Sequence, residues 1–398
     1  MLVLPLAVYR TPTGRHIERQ ACNGLRLWLE NFDQVEFFGP EFVVNQPPPA
    51  SLPVEQIVHA ERLSIYPLPG TYNPITFARR LPAAARVLRR HIRTADYLHF
   101  GIAGVWGDWG SVAAQIAQHE KRPYAVWTDQ VASRVADFTA RGKRGINRLY
   151  WNITAALTGP YERNVIRGAA LGLFHGADCY AAFAPISPAP RLVHDIHVPR
   201  AAAITPAELD RKLAELRPEL QIVYAGRAHP QKGIRDWIET LTRLAEQGVN
   251  YHATWFGEGH MLDDARAAVA TAGLESRIQF PGNVEEHAVL LRHLKKADLF
   301  LFCHKIPESP RCLVEALICG TPIVGYRWPF AEELISENRG GILTPTDDTA
   351  SLAGQLAELT IERRADLIRR AAQDGSHFND EAVFRHRSEL MKELLSKP

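Results

Sequence analysis

Cysteine is sparse: five residues, an odd number, with no CxxC pair. This argues against a disulfide framework or a cysteine zinc site and fits a reducing cytoplasm. Charge of one sign is also scarce, since 46 Lys and Arg against 44 Asp and Glu leave a net +2. A nucleic-acid binder carries a larger basic excess, so no nucleic-acid partner is expected. Long hydrophobic runs are missing too. The most apolar region, Val165–Pro190, is broken by Arg167, His175 and Asp178, so no spanning helix is expected. The apolar start Met1–Tyr9 has no basic residue before Arg10 and does not read as a secretion signal.

What remains is a globular chain. Of 398 residues, 46% are hydrophobic and 23% charged, enough for a sizeable core. The length suits two domains of roughly 150–200 residues each. Short apolar runs alternate with amphipathic ones, which predicts an α/β fold with doubly wound sheets. In the first half, strands are expected at Val3–Tyr9, Val35–Phe38, Tyr97–Phe100, Tyr124–Trp127 and Asp178–Phe183. Helices are expected at Ser111–His119 and Tyr161–Gly172. The proline-rich stretch Pro185–Pro206 breaks the series and puts the connection near 198–218. The expected domains are 1–200 and 215–376, with a helix at 377–398 returning to the first.

The second half carries the chemistry. In Tyr224-Ala225-Gly226-Arg227-Ala228-His229-Pro230-Gln231-Lys232-Gly233 a strand ends, Gly226 lets the backbone turn, and two cations precede a helix. Cations beside a helix N-terminus at the carboxyl end of a strand suit a diphosphate. A solvated basic loop is the plainer alternative. Gly257 in Phe256-Gly257-Glu258-Gly259 allows close approach of backbone to a ligand or makes a plain turn. Asn283 and Val284 follow the next strand. The segment Glu308-Ser309-Pro310-Arg311-Cys312-Leu313-Val314-Glu315 opens a helix expected over Pro310–Cys319, with Ser309 as N-cap and Gly320 at its close. Its positive end and the carboxylates Glu308 and Glu315 suit a hydroxyl-rich anionic ligand.

These motifs, in this order over about Ile222–Leu356, resemble family 4 of the retaining GT-B glycosyltransferases. The resemblance implies two Rossmann-like domains facing each other across a cleft, with a UDP- or GDP-sugar donor on the second and a glycan or lipid-linked acceptor on the first. It implies that Arg227 and Lys232 bind the diphosphate, with no metal or other cofactor expected. Glu315 would accept from the ribose, and Glu308 from the donor sugar. The backbone at Ser309, Arg311, Cys312 and Leu313 would touch phosphate or sugar, and Asn283 and Val284 would flank the base. The family has seven residues between its two glutamates, whereas six separate Glu308 from Glu315 here. That weights Glu315 over Glu308 and brings in His304 as another sugar contact.

The first half follows the family less closely. Arg10-Thr11-Pro12-Thr13-Gly14-Arg15-His16 stands where a glycine-rich loop is usual, so Gly14 becomes a donor candidate and Arg15 and His16 acceptor contacts. Thr128 stands where a histidine is usual. Asp129 beside it is a candidate base or a helix cap, and Asp108, among tryptophans, an acceptor contact. His194-Asp195-Ile196-His197 lacks a third partner at metal spacing and reads as a domain junction. Two basic stretches, Arg79–Arg93 and Lys143–Arg148, read as solvated helix faces or as contacts with an anionic membrane. The chain is expected to be a cytoplasmic glycosyltransferase, peripheral at most, in bacterial polysaccharide synthesis. A nucleotide-sugar epimerase and an inactive nucleotide-sugar-binding protein are its rivals.

Overall fold

The computed structural model describes residues 1–71 and 73–395. They form two compact units, Met1–His197 with the segment from Asp380 onward, and Val198–Asn379. The first holds strands β1 (Leu2–Val3), β2 (Val8–Thr11), β3 (Gly14–Glu18), β4 (Val35–Val43), β5 (Ser51–Pro53), β6 (Leu63–Pro69), β7 (His99–Gly101), β8 (Ala125–Thr128), β9 (Leu171–His175) and β10 (Pro190–Val193). They make one sheet in the order β10-β9-β8-β7-β1-β4-β2-β3-β5, with β6 against β4. Only the pairings β2–β3 and β3–β5 are antiparallel. The helices are α1 (Arg19–Asn31), α2 (Pro74–Thr94), α3 (Trp109–His119), α4 (Ala132–Arg141), α5 (Gly145–Arg167) and α6 (Gly176–Phe183).

Period-two alternation along these strands splits the core into two layers. Val3, Phe38, Val126 and Phe174 enter the layer formed with α2, α3 and α5. Their neighbours Leu2, Phe37, Ala125 and Leu173 enter the layer formed with α1.

Several first-half expectations need correction. The single strand expected at Val3–Tyr9 is two, β1 and β2, divided around Pro5, which has no N–H to give a ladder. Asp178–Phe183 is the helix α6, and the strand is Leu171–His175, partly within the stretch expected as helix. Its five residues are all buried between β8 and β10, whereas α6 shows one exposed side. Arg10–His16 is a β-hairpin, not a glycine-rich loop. Thr11 pairs with Gly14, and the Thr11 hydroxyl donates to the Gly14 carbonyl at 3.0 Å.

The second unit holds α7 (Pro206–Ala214), β11 (Leu220–Ala225), α8 (Ile234–Glu246), β12 (Tyr251–Phe256), α9 (Leu262–Thr271), β13 (Ile278–Gly282), α10 (His287–Lys296) and β14 (Leu299–Phe302). It continues with α11 (Arg311–Ile318), β15 (Ile323–Tyr326), α12 (Pro329–Leu334), β16 (Gly341–Thr344), α13 (Thr349–Ala357) and α14 (Ile361–Gly375). The sheet is wholly parallel, in the order β13-β12-β11-β14-β15-β16. The order reverses between β11 and β14. Parallel strands covered on both faces bury nearly continuous apolar runs, as Leu299–Phe302 and Ile323–Tyr326 do. The α/β expectation holds in both units.

The last helix, α15 (Asp380–Leu394), packs on α1 in the first unit. Residues 396–398 of the helix expected at 377–398 lie outside the described residues. Arg387 anchors it. Its guanidinium lies 5.2 Å from the Trp28 ring, 5.5 Å from Trp127 and 5.0 Å from Phe384, and pairs with Asp195 at 3.2 Å. Asp195 thereby serves the packing of α15, and His197 lies 3.6 Å from its other oxygen.

Arg387→Ala is expected to destabilise the first unit by about 2–4 kcal/mol, because it removes a buried guanidinium packed on Trp28, Trp127 and Phe384 and takes the cation from half-buried Asp195. Urea unfolding followed by tryptophan fluorescence measures this, and a loss below about 1 kcal/mol contradicts the anchoring role.

Candidate functional site

In an open parallel sheet, the loops at the carboxyl ends of two strands diverge where the strand order reverses, and ligands bind there. In the second unit that place lies outside β11 and β14. Arg227 and Lys232 follow β11, and His304 and Glu308 follow β14, so four expected site residues converge at the switch point.

Glycines hold these loops together. Gly233 has φ +66°, and a Cβ there would lie 1.8 Å from the Cys303 carbonyl oxygen. The Lys305 amide donates to the Gln231 carbonyl at 2.8 Å, so the loops after β11 and β14 share backbone contacts. Gly257 has φ +132°, and a Cβ on it would stand 2.2 Å from the Gly226 carbonyl oxygen. The Gly226 amide donates to Phe256, and the Ala228 amide to Glu258, tying the loops after β11 and β12. The Gly257 amide donates to Gly282 at 2.8 Å and brings in the loop of Asn283 and Val284. Gly226 and Gly257 thus serve close backbone approach between loops.

A chain of polar contacts runs through this frame. The Lys232 ammonium donates to both oxygens of Glu308 at 2.8 Å. His304 Nδ1 faces Glu308 at 3.4 Å, and the Tyr224 hydroxyl lies 2.9 Å from His304 Nε2. His304 is buried, and burial together with the nearby Lys232 charge pushes its pKa well below the ordinary 6.5. The ring is therefore neutral. A carboxylate only accepts, so the contacts assign the proton to Nδ1 and make Nε2 the acceptor for Tyr224. Arg227 is exposed and makes no hydrogen bond or ion pair among the described residues.

The helix α11 begins at Arg311, one residue later than expected. Pro310 is extended (φ −76°, ψ 125°), and no side chain caps the helix. Ser309 is therefore not the N-cap, and its buried Oγ has no hydrogen-bond partner among the described residues. Leu313 is buried, which leaves its backbone for any contact, whereas Arg311 and Cys312 are half-buried. Glu315 lies one turn further in. Its Oε1 is 3.1 Å from His287 Nε2, at the start of α10. Burial works to lower the His287 pKa, but the hydrogen bond and charge of Glu315 outweigh it and raise it above 6.5.

His287 and Tyr224 were not singled out in the sequence. Tyr224 reads as a strand residue. His287 comes three residues after Val284, and nothing local points to Glu315.

The candidates of the first unit fall on three segments, with Gly14, Arg15 and His16 on the β2–β3 hairpin, Asp108 before α3 and Asp129 after β8. Gly14 sits in the hairpin with φ +139°, and a Cβ there would meet only Glu55, at 4.0 Å. Arg15 and Arg10 both pair with Glu41, at 3.3 and 3.2 Å. His16 is buried with Nδ1 unpartnered. A cavity of about 510 Å³ at the carboxyl ends of β2, β4 and β6 is lined by Arg10, Glu41, Thr71 and Arg80 among others. Asp129 is exposed after β8, whose Thr128 hydroxyl donates to the Gln130 carbonyl at 2.8 Å. Asp108 is the N-cap of α3. It is buried and accepts from the amides of Ala103, Gly104 and Ser111 and from the Ser111 hydroxyl, so its oxygens serve its own loop. No group of three His, Cys, Asp or Glu among the described residues is arranged to hold a metal.

A wholly parallel six-stranded sheet whose order reverses between β11 and β14 defines a Rossmann-like α/β class. Residues 207–374 match the family model described as glycosyl transferases group 1. The amylovoran biosynthesis glycosyltransferase AmsK of Erwinia amylovora is 26% identical over 271 residues, covering 58% of this chain and 66% of the relative. The chain spans about half to two thirds of the length of the curated relatives it matches first, 45%, 66% and 45%. Sucrose-phosphate synthase from Thermosynechococcus elongatus superposes with a TM-score of 0.69 at 17% identity, over 99% of this chain and 98% of that one. Anabaena HepE, solved with UDP-glucose, superposes with a TM-score of 0.65 at 15% identity, over 99% of each chain. The fold is GT-B, and residues 207–374 are similar to the group 1 glycosyltransferases.

Two outcomes follow from the site geometry. Gly233→Ala is expected to destabilise the second unit by about 2 kcal/mol or more, since it meets both a positive φ and a carbonyl. A wild-type unfolding midpoint would contradict the interlock. For His287 the folded pKa is raised, so the stabilisation from its pair with Glu315 is complete below about pH 6.5 and disappears as pH rises through the folded value. The stability gap between wild type and His287→Gln is expected to be widest near about pH 6 and to close by about pH 9. A gap constant with pH in urea titrations would refute the ion pair.

Proposed function

We propose that this protein is a glycosyltransferase moving a sugar from a nucleotide-diphosphate sugar, UDP- or GDP-linked, to a glycan or lipid-linked acceptor in bacterial polysaccharide synthesis. One observation carries the reading. Lys232, fixed by Glu308, and Arg227, which makes no hydrogen bond or ion pair among the described residues, both follow β11 at the β11/β14 switch point. Two cations there fit a diphosphate and stabilise the charge that develops as the nucleotide leaves, work that otherwise falls to a metal. The group 1 family match and the naming of AmsK support the same reaction class.

In this reading Glu315 accepts from the ribose, while Asn283 and Val284 flank the base. Glu308 has two tasks, holding Lys232 and accepting from a donor-sugar hydroxyl. The His304–Tyr224 contact keeps its carboxylate in place. The acceptor sits on the first unit, with Asp129 as a candidate contact for its hydroxyl and Arg15 and His16 near the cavity beside Arg10. Reaction with retention has the acceptor hydroxyl attack the anomeric carbon on the face the nucleotide leaves. The bond to the diphosphate oxygen breaks, and that oxygen takes the hydroxyl proton.

Calorimetric titration with UDP, GDP and their sugar conjugates tests the donor site. One nucleotide is expected to bind equally with and without EDTA, and about 100-fold more weakly to Arg227→Ala/Lys232→Ala. Unchanged affinity in that variant contradicts the diphosphate assignment. With donor alone, conversion of the sugar to its epimer would overturn transfer in favour of epimerisation. Binding without turnover on a panel of glycan and lipid-linked acceptors would overturn it in favour of a binding protein.

A further inference from the structure

The helix α5 has an outer face that the fold does not use. Among the described residues ten large hydrophobic side chains are exposed, and five of them, Ile146, Leu149, Tyr150, Ile153 and Leu157, lie on this one helix. At about 100° per residue they fall within an arc of roughly 100°, along about 17 Å of helix. The inner side of α5 is already committed, with Thr154, Thr158, Glu162, Val165 and Ile166 buried. The outer stripe is therefore surplus to folding, and a contiguous apolar patch of this kind marks an interaction surface.

The charges around the stripe say what covers it. From Phe138 to Tyr161 there is no Asp or Glu, while Arg141, Lys143, Arg144 and Arg148 are all present and all exposed. Arg141 pairs with Asp137 at 2.6 Å. The side chains of Lys143, Arg144 and Arg148 have no hydrogen bond or ion pair among the described residues. Three uncompensated cations thus crowd one end of an apolar stripe.

We propose that α5 docks this protein on a membrane leaflet containing anionic phospholipid. The stripe enters the boundary between headgroups and acyl chains, and Lys143, Arg144 and Arg148 reach the lipid phosphates. A second copy of the chain is the poorer occupant. A two-fold contact through the stripe would bring the same cations toward each other with no acid in the segment to offset them. No helix among the described residues is long and apolar enough to cross a membrane, so the attachment lies in the plane of the surface. The proposal is independent of the donor assignment, because α5 belongs to the first unit and the donor site to the second.

Flotation of the full chain with vesicles tests it. The protein is expected to float with phosphatidylglycerol–phosphatidylethanolamine vesicles at about 50 mM salt. Binding should fall about 10-fold on phosphatidylcholine alone, and about 10-fold at about 500 mM salt. Leu149→Glu/Ile153→Glu is expected to lose at least about 10-fold, and Lys143→Glu/Arg144→Glu to lose the salt-sensitive part. The urea unfolding midpoint of each variant, followed by far-ultraviolet circular dichroism, reports on folding without using the membrane. Ile146→Glu, at a position 82% exposed, is the fallback substitution that the fold tolerates. Equal flotation with both vesicle types, or undiminished flotation of the glutamate variants, overturns the proposal. So does a dimer in sedimentation velocity that Leu149→Glu/Ile153→Glu dissociates while wild type ignores vesicles.

Discussion

The site of the second unit depends on the contact of backbone with backbone where β11, β12 and β14 end. At Gly233 and Gly257 the chain passes so near a neighbouring carbonyl that no side chain fits. Those contacts place Lys232 beside Glu308 and hold the loop carrying Arg227. Binding groups on loops are ordinarily adaptable. Here the loops are fixed to one another, which makes the cation arrangement pre-formed and reduces the ordering cost of taking up an anion.

Electrostatics then follow from burial. His304 lies in the core beside a lysine and stays neutral, so it acts as a hydrogen-bonding spacer between Tyr224 and Glu308. His287, half-buried against a carboxylate, has its pKa raised above the ordinary value instead. Two histidines in one unit thus shift in opposite directions because one has a carboxylate at full hydrogen-bonding distance and the other is wedged between a phenol and a cation-neutralised glutamate.

The second unit was largely legible from sequence because each of its strands is a short apolar run closed by glycine or a charged turn. The strand Tyr251–Phe256, for example, is such a run, and Gly257 follows it directly. The first unit was not legible to the same degree. From Leu171 to Phe183 the chain is apolar almost throughout, and such a run does not reveal by periodicity which part is strand and which is helix. The hairpin at Arg10–His16 hid because Gly14 read as a phosphate-loop glycine, and a single glycine does not show that it also closes the turn between β2 and β3. The pair His287–Glu315 escaped because its members are 28 positions apart and meet only through the packing of α10 on α11. The surplus stripe of α5 was half visible. Its cations stood out in the sequence, but that Ile153 and Leu157 face outward is a fact of packing.

The first unit is discontinuous in the chain. Its core takes Phe384 and Met391 from α15, which is synthesised only after the whole of the second unit. The second unit, Val198–Asn379, has every strand of its sheet available before α15 leaves the ribosome. Biogenesis therefore proceeds out of sequence order: the downstream module can mature first, while the upstream one waits, with the seat for Arg387 over Trp28 and Trp127 unfilled. Loss of α15 alone would therefore injure the module made first rather than the one made last.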